Sequence, residues 1–125
     1  VPVHMAGWAD VVHGGIVATI LDEVMSNAAI YLLSRIILTR SMKVDLRKPL
    51  HVQRELLARA WVAEQPHARQ AIMRAEIHDE QGQLCAEGRG DFALFTPEQF
   101  RKKGLGEGIV ADFEAWMKQC GRPMA

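Results

Sequence analysis

A long apolar segment over residues 14–33 carries two adjacent carboxylates, Asp22 and Glu23, in its middle. Two glycines, Gly14 and Gly15, open the segment. At about 100° per residue, its apolar side chains cover most of the circumference of a helix. An apolar surface this broad predicts a central helix that other structure surrounds, rather than a helix at the surface.

The carboxylate of Asp22 needs a physical explanation on such a helix. Burying an unpaired carboxylate is costly unless the group is hydrogen-bonded or its pKa rises. Helical spacing places Asp22 on one narrow stripe with Gly15, Thr19 and Ser26, whereas Glu23 points about 100° away. The sequence therefore makes Asp22 the first candidate for a catalytic carboxylate.

The hydrophobic pattern changes from a period of 3.6 to a period of 2 after the helix. Four strand-like segments follow, at about residues 38–47, 55–64, 71–78 and 84–95. In the first segment we expect Leu38 on the apolar face, with Met42 and Val44, and Thr39 on the opposite face. One long helix followed by four antiparallel strands predicts an α+β fold.

The segments that flank this unit carry weaker signals. We expect an irregular lead-in over residues 1–12, a single domain over residues 13–103, and a linker with a terminal amphipathic helix over residues 104–125. Thr96-Pro97 predicts a short helix with an N-cap and a proline at its first position. Three glycines predict a flexible link before the last helix: Gly104, Gly106 and Gly108.

The charge balance and the cysteine count exclude several classes of function. Lys plus Arg and Asp plus Glu are 15 each, so no overall field draws the chain to nucleic acid or to an anionic membrane. Cys85 and Cys120 form neither a disulfide framework nor a metal-ligand spacing. No secretory signal pattern opens the chain, and carboxylates interrupt its apolar run. We therefore expect a cytoplasmic protein with no spanning helix and no metal.

The tripeptide His13-Gly14-Gly15, with an acid nine residues after the histidine, resembles the signature of hotdog-fold acyl-CoA thioesterases. The stretch from Gly7-Trp8 to Leu21-Asp22-Glu23 is similar to the phenylacetate-pathway type within the 4-hydroxybenzoyl-CoA thioesterase-like superfamily, and the likeness covers roughly residues 7–95. It implies a hotdog fold, in which a curved antiparallel sheet wraps a long central helix. It also implies an enzyme that hydrolyses acyl-CoA to a free acid and coenzyme A, with no cofactor beyond the coenzyme A of its substrate.

The resemblance assigns roles to residues of the central helix. Gly14 and Gly15 would form an oxyanion hole, because N–H groups at a helix N-terminus are unsatisfied and favour negative charge. Asp22 matches the catalytic acid of the family, and its role as general base or as nucleophile stays open. Ser26 is expected to orient the attacking water. Thr39 falls near a Ser or Thr with that task in some relatives, after a shift of one residue in the count.

Other candidate residues have weaker assignments. Glu23 is expected to pair with a strand residue or to lie at a subunit boundary, and His13 is implied to hold the loop ahead of the helix. Three cations on and after the first long strand, Arg40, Lys43 and Arg47, are candidates for binding the phosphates of coenzyme A, or else form an ordinary solvated strand face.

The start of the chain departs from the family pattern at two points. Many relatives carry Asn or Gln about six residues before the histidine, where this chain has Gly7, so Trp8 or Asp10 is expected to fill that space. The family also has a strand ahead of the motif, which we expect to be truncated or very short here.

Two other functions and an assembly also follow from the sequence. A hotdog enoyl-CoA hydratase would use different motif spacings, and a non-catalytic acyl-CoA-binding module would bind without turnover. Leu57 and Trp61 place apolar groups on the second face of their strand, which predicts a homodimer or a dimer of dimers. In the family, the Gly14 end of one subunit would meet Asp22 of its neighbour.

Overall fold

The computed structural model describes residues 1–104 and 107–119. A 3-10 helix at Val3–Met5 is followed by β1 (Ala6–Trp8), β2 (Val11–Val12), α1 (Gly14–Leu33), β3 (Ile36–Leu46), β4 (Leu57–His67), β5 (Gln70–His78), β6 (Leu84–Phe95), α2 (Pro97–Lys102) and α3 (Glu107–Gln119). The predicted α+β arrangement, a long helix followed by four antiparallel strands, is confirmed.

Helix α1 packs one row of side chains against the sheet. Its buried residues recur every four positions: Val17, Leu21, Met25 and Ala29. They join strand residues such as Met73, Ile77 and Phe92 in the main core. The helix is long and apolar enough to cross a membrane by length and composition alone. Its buried row packs against the sheet, so the helix is part of the core of this fold.

The large sheet has the strand order β3-β6-β5-β4, so the strand that follows α1 lies at one edge. Gly88 of β6 sits directly under the helix, because a Cβ added there would lie 3.4 Å from Met25 Cε and 3.5 Å from Leu21 Cβ. A Cβ at this position would make ordinary van der Waals contacts with α1, and atoms beyond Cβ would meet Leu21 and Met25. The edge position of β3 leaves one side of that strand without a partner within the described residues.

A β-bulge at Arg40 changes the faces of β3. Thr39 pairs with Phe92 and Ser41 pairs with Asp91, so Arg40 is an extra residue on this strand. Residues that are directly opposite in an antiparallel pair share a face, so Thr39 lies on the helix side with Phe92. The expectation that Leu38 faces the helix and Thr39 faces away is therefore wrong, and Leu38 is 42% exposed.

The flanking segments are more regular than the sequence predicts. Residues 1–12 contain the β1–β2 pair and the 3-10 helix, so the expectation of an irregular lead-in is wrong. The capping box of Thr96 and Gln99 at the start of α2 confirms the predicted N-cap. Helix α3 begins before Gly108, which was expected in the linker. Gly106 and Cys120 lie outside the described residues.

A second, smaller core holds the last two helices on the sheet. Its buried members come from β3, β6, α2 and α3: Ile36, Phe95, Phe100, Val110, Phe113 and Met117. The predicted terminal amphipathic helix is confirmed, because its buried residues lie on one face. This core places α3 next to the second half of α1 and the start of β3.

Candidate active site

His13 organises the N-terminus of α1. Its side-chain Nδ1 accepts a hydrogen bond of 2.9 Å from the Gly15 N–H. Its backbone carbonyl accepts the N–H groups of Ile16 and Val17, at 2.9 and 3.1 Å. His13 therefore satisfies the N–H groups of Gly15 and Ile16, two of the three first-turn donors that lack a helical partner, and it accepts the first regular helix bond from Val17. This geometry favours a positioning role for His13.

Gly14 keeps the remaining donor of this turn. Within the described residues, no acceptor bonds its N–H. Gly14 is exposed, and a Cβ added there would come no closer than 3.5 Å to a neighbour, Leu46 Cδ1. Because the Gly15 N–H already bonds His13, the structure distinguishes two glycines that the sequence treats alike. An incoming oxyanion would find the Gly14 N–H free.

A cleft of about 490 Å³ opens beside this helix end. Trp8, Gly14, Leu46 and Arg47 are among the residues that line it. Of the two residues proposed to replace the missing Asn or Gln, Trp8 lies in this cleft and is 82% exposed. The carboxylate of Asp10 instead lies 3.0 Å from His51 Nδ1.

The loop ahead of the helix also explains Gly7. A Cβ added to Gly7 would lie 3.1 Å from both Cα and Cδ2 of His13, which is closer than nearly all real contacts. The histidine therefore packs directly on the backbone of residue 7. An Asn or Gln at this position would require His13 to shift by a few tenths of an ångström.

Asp22 is held from β3 by a single hydrogen bond. The Thr39 hydroxyl donates to Asp22 Oδ1 at 2.8 Å. The other oxygen, Oδ2, forms no hydrogen bond with any residue that the structure describes. Asp22 is half-buried, and Thr39 reaches it because the bulge at Arg40 turns the hydroxyl to the helix side.

The remaining polar residues of the helix are less engaged. Ser26 is half-buried one turn after Asp22, and the two side chains form no hydrogen bond. Glu23 is exposed, and the expected pairing with a strand residue does not occur within residues 1–104 and 107–119. Thr19 donates its hydroxyl back to the Gly15 carbonyl at 2.9 Å. Only Asp22 is both partly buried and bonded across to the sheet.

The three candidate cations are spread along β3 and do not form one cluster. Arg40 lies at the bulge beside Thr39, and Lys43 lies 4.0 Å from Asp45. Arg47 follows the strand end and lies 2.5 Å from Glu87. This hydrogen bond raises the pKa of Arg47 and lowers the pKa of Glu87. Arg47 is the only one of the three that lines the N-terminal cleft.

The two halves of the site lie far apart in one chain. Gly14 and Asp22 are separated by eight residues of helix, or about 12 Å along its axis. A tetrahedral intermediate needs its oxyanion donor and its base within about 3 Å of adjacent atoms. One chain therefore does not bring the free N–H and the free carboxylate oxygen onto the same carbonyl.

Comparison with known families resolves which group of proteins shares this architecture. The model of the thioesterase superfamily matches residues 9–86, which include β2, all of α1 and most of the sheet. The chain belongs to the thioesterase superfamily. This assignment confirms the resemblance found in the sequence, and the match of the long helix and sheet confirms the hotdog fold.

Solved structures of thioesterase-superfamily proteins share the fold. The PaaI protein of the E. coli phenylacetic acid degradation operon is 22% identical, with a TM-score of 0.68, and the match covers 76% of this chain and 67% of that one. AziG of S. sahachiroi is 23% identical, with a TM-score of 0.69 and coverage of 76% and 78%. A Bacillus halodurans protein solved with CoA is 28% identical, with a TM-score of 0.61, and this match covers 68% of the chain but only 56% of that protein. No curated protein matches the chain significantly.

Proposed function

We propose that the protein hydrolyses acyl-CoA thioesters to a free acid and coenzyme A. The observation that carries the proposal is the half-buried carboxylate of Asp22, which Thr39 holds through Oδ1 while Oδ2 stays unbonded within the described residues. In a thioesterase-superfamily fold, this is a carboxylate that is oriented and still has a lone pair for chemistry. The Bacillus halodurans relative with bound CoA supports the choice of thioester.

The reaction follows from the two groups. The Gly14 N–H would donate a hydrogen bond to the thioester oxygen. This hydrogen bond would strengthen as negative charge develops on that oxygen. Asp22 Oδ2 would take a proton from water, whose oxygen attacks the carbonyl carbon. The tetrahedral intermediate would then collapse and expel the thiolate of coenzyme A, which takes up the proton. Direct attack by Oδ2, with an anhydride that water later hydrolyses, uses the same geometry.

We propose that each site is shared by two copies of the chain. The free edge of β3 can pair antiparallel with the β3 of a second copy about a two-fold axis. If this axis passes near Lys43 and Arg40 is left out of the pairing, as it is in the pairing with β6, Leu46 of one copy comes opposite Thr39 of the other. Because Leu46 lies against Gly14, and Thr39 bonds Asp22, the free N–H of one copy would then approach the carboxylate of the other.

Two further side chains would act on the water and on coenzyme A. We propose that Ser26 contacts the attacking water and that Arg47, at the N-terminal cleft, meets a phosphate of coenzyme A. No cofactor beyond the substrate is needed for this chemistry. A cytoplasmic location agrees with a substrate that carries coenzyme A.

The test compares two adjacent carboxylates. We expect Asp22→Asn to lower kcat for acyl-CoA hydrolysis by at least about two orders of magnitude, because it removes the base and keeps the volume. Glu23→Gln is the matched control and should retain kcat within about twofold. Free thiol release from a panel of acyl-CoAs measures both variants, and titration calorimetry measures binding. Binding by the wild type without thiol release would indicate an acyl-CoA-binding module instead.

A further inference from the structure

A second cleft of about 490 Å³ lies at the other end of α1. We name it the α3 cavity, because α3 forms one of its walls against the second half of α1 and the start of β3. Its apolar lining comes from all three elements: Ile30, Ile36, Ile37, Ile109, Phe113 and Trp116. Asn27 and Tyr31 also line it, and among the residues that the structure describes no charged side chain does so. Its volume is within the range of about 300–1,000 Å³ that small-molecule sites occupy.

Residues that line the α3 cavity lie close in sequence to both residues of the Asp22–Thr39 hydrogen bond. Ile37 precedes Thr39 by two residues on the same strand face, because the bulge comes only after Thr39. Asn27 follows Asp22 by five residues, or about 7.5 Å along the helix axis. Ile37 is therefore the lining residue that connects the cavity with Thr39, and the cavity extends from it toward the C-terminal end of α1.

Helix α3 lies outside the part of the chain that the family model matches. The superfamily match ends at residue 86, before α2 and α3. The helix is fixed to the sheet by the second core, and Arg101 of α2 forms ion pairs with Glu107 and Glu114 of α3. Ile109 nevertheless stays 54% exposed at the wall of the cavity. A fixed helix that keeps an apolar side chain at a cavity wall provides a surface for an apolar ligand.

We propose that the α3 cavity binds the acyl group of the substrate and that α3 selects apolar acyl groups by their length. This inference rests on the proposed hydrolysis of acyl-CoA and names its substrate class. Burial of each further methylene should strengthen binding about three- to fourfold until the cavity is filled. An acyl group that ends in a carboxylate would lose its hydration without gaining a cationic partner among the described lining residues, so the cavity selects against it.

The experiment measures kcat/KM for straight-chain acyl-CoAs from acetyl to decanoyl, with succinyl-CoA as the charged probe. The wild type should show a rise with chain length and poor turnover of succinyl-CoA. Ile109→Trp fills the cavity from an exposed position and should lower the decanoyl-to-acetyl ratio of kcat/KM at least tenfold. Leu32→Trp is the matched control, because Leu32 is 52% exposed on α1 and does not line the cavity. An unchanged ratio in Ile109→Trp, or a flat profile in the wild type, would overturn the inference.

Binding without turnover separates this inference from the proposed function. In the Asp22→Asn background, calorimetry should find decanoyl-CoA bound more tightly than acetyl-CoA, and Ile109→Asp should remove most of that difference. If the wild type releases no thiol from any acyl-CoA but this preference is present, the proposed hydrolysis is wrong and the acyl site stands. If thiol is released but decanoyl-CoA and acetyl-CoA bind equally, the hydrolysis stands and the acyl site is wrong.

Discussion

At the scale of single residues, hydrogen bonding separates groups that the sequence could only rank by position. His13, Gly14 and Gly15 look like one motif, but His13 accepts the Gly15 N–H and leaves the Gly14 N–H free. Hydrogen bonding also distinguishes Asp22 from Glu23, because only Asp22 is bonded across to the sheet. Helical periodicity predicted which carboxylate faces inward. Which N–H is free depends on a side-chain rotamer that no periodicity encodes.

The free N–H of Gly14 can be removed without a change to the helix. Proline is favoured at the first helical position, and His13, at φ −57° and ψ 136°, already has the conformation that a residue before proline adopts. We expect Gly14→Pro to keep the thermal midpoint near that of the wild type. It should lower kcat by about 10²–10³, the usual effect of losing an oxyanion donor.

Gly14→Ala is the control for this substitution, because it keeps the N–H and adds a Cβ only 3.5 Å from Leu46 Cδ1, an ordinary contact. It should retain most of the activity in the thiol-release assay. Normal turnover by a folded Gly14→Pro variant would remove this N–H from the mechanism.

At the scale of elements, the helix and the four strands were predictable, and the bulge was not. The strands of the sheet are marked by alternation and by turn residues, which are local signals. The bulge at Arg40 reverses the faces of the residues before it. It is defined by the pairing of β3 with β6, so no local sequence pattern indicates it. Thr39 was therefore placed on the wrong face by alternation alone, although comparison with the family pointed to it.

The turn between β5 and β6 gives a pH-dependent prediction. Asp79 Oδ1 accepts the backbone N–H groups of Gln83 at 2.9 Å and Gln81 at 3.0 Å. The bond from Gln83 is the largest cause that lowers the pKa of this carboxyl. Because the folded-state pKa is lowered, the stabilisation is present above the unfolded-state pKa and is lost as the pH falls through the folded-state value.

We therefore expect the thermal midpoint of the wild type to fall more steeply below about pH 4 than that of Asp79→Asn. Circular dichroism melts at a series of pH values measure this difference. Glu80→Gln, which removes the next carboxylate along the chain, should keep the slope of the wild type. Parallel curves for the wild type and Asp79→Asn would show that the turn contributes nothing to acid sensitivity.

At the scale of the whole molecule, the assembly determines whether the Gly14 N–H and the Asp22 carboxylate come close together. The sequence predicted a dimer from Leu57 and Trp61, and the structure leaves those two side chains 61% and 37% exposed. The structure adds a second reason to expect a dimer, which is the separation of about 12 Å between Gly14 and Asp22 along α1. The α3 cavity could not be predicted in the same way, because its walls come from three elements that meet only in the fold.

The shared site can be tested by mixing two inactive variants. Asp22→Asn chains keep the Gly14 N–H, and Gly14→Pro chains keep the carboxylate. If each site takes its N–H from one copy and its acid from the other, every mixed dimer contains one intact site and one doubly altered site. Random mixing at equal amounts should then restore about a quarter of wild-type activity, because half of the dimers are mixed.

Dissociation in mild denaturant and refolding together would prepare the mixed dimers, and native mass spectrometry would count them. A mixture of Asp22→Asn with Asp22→Ala chains is the control, and it should stay inactive because neither chain supplies the acid. Absence of recovery in the first mixture, with mixed dimers present, would mean that each chain carries a complete site. Because Gly14 and Asp22 stand on one rigid helix, such a site would need a donor for the oxyanion other than Gly14.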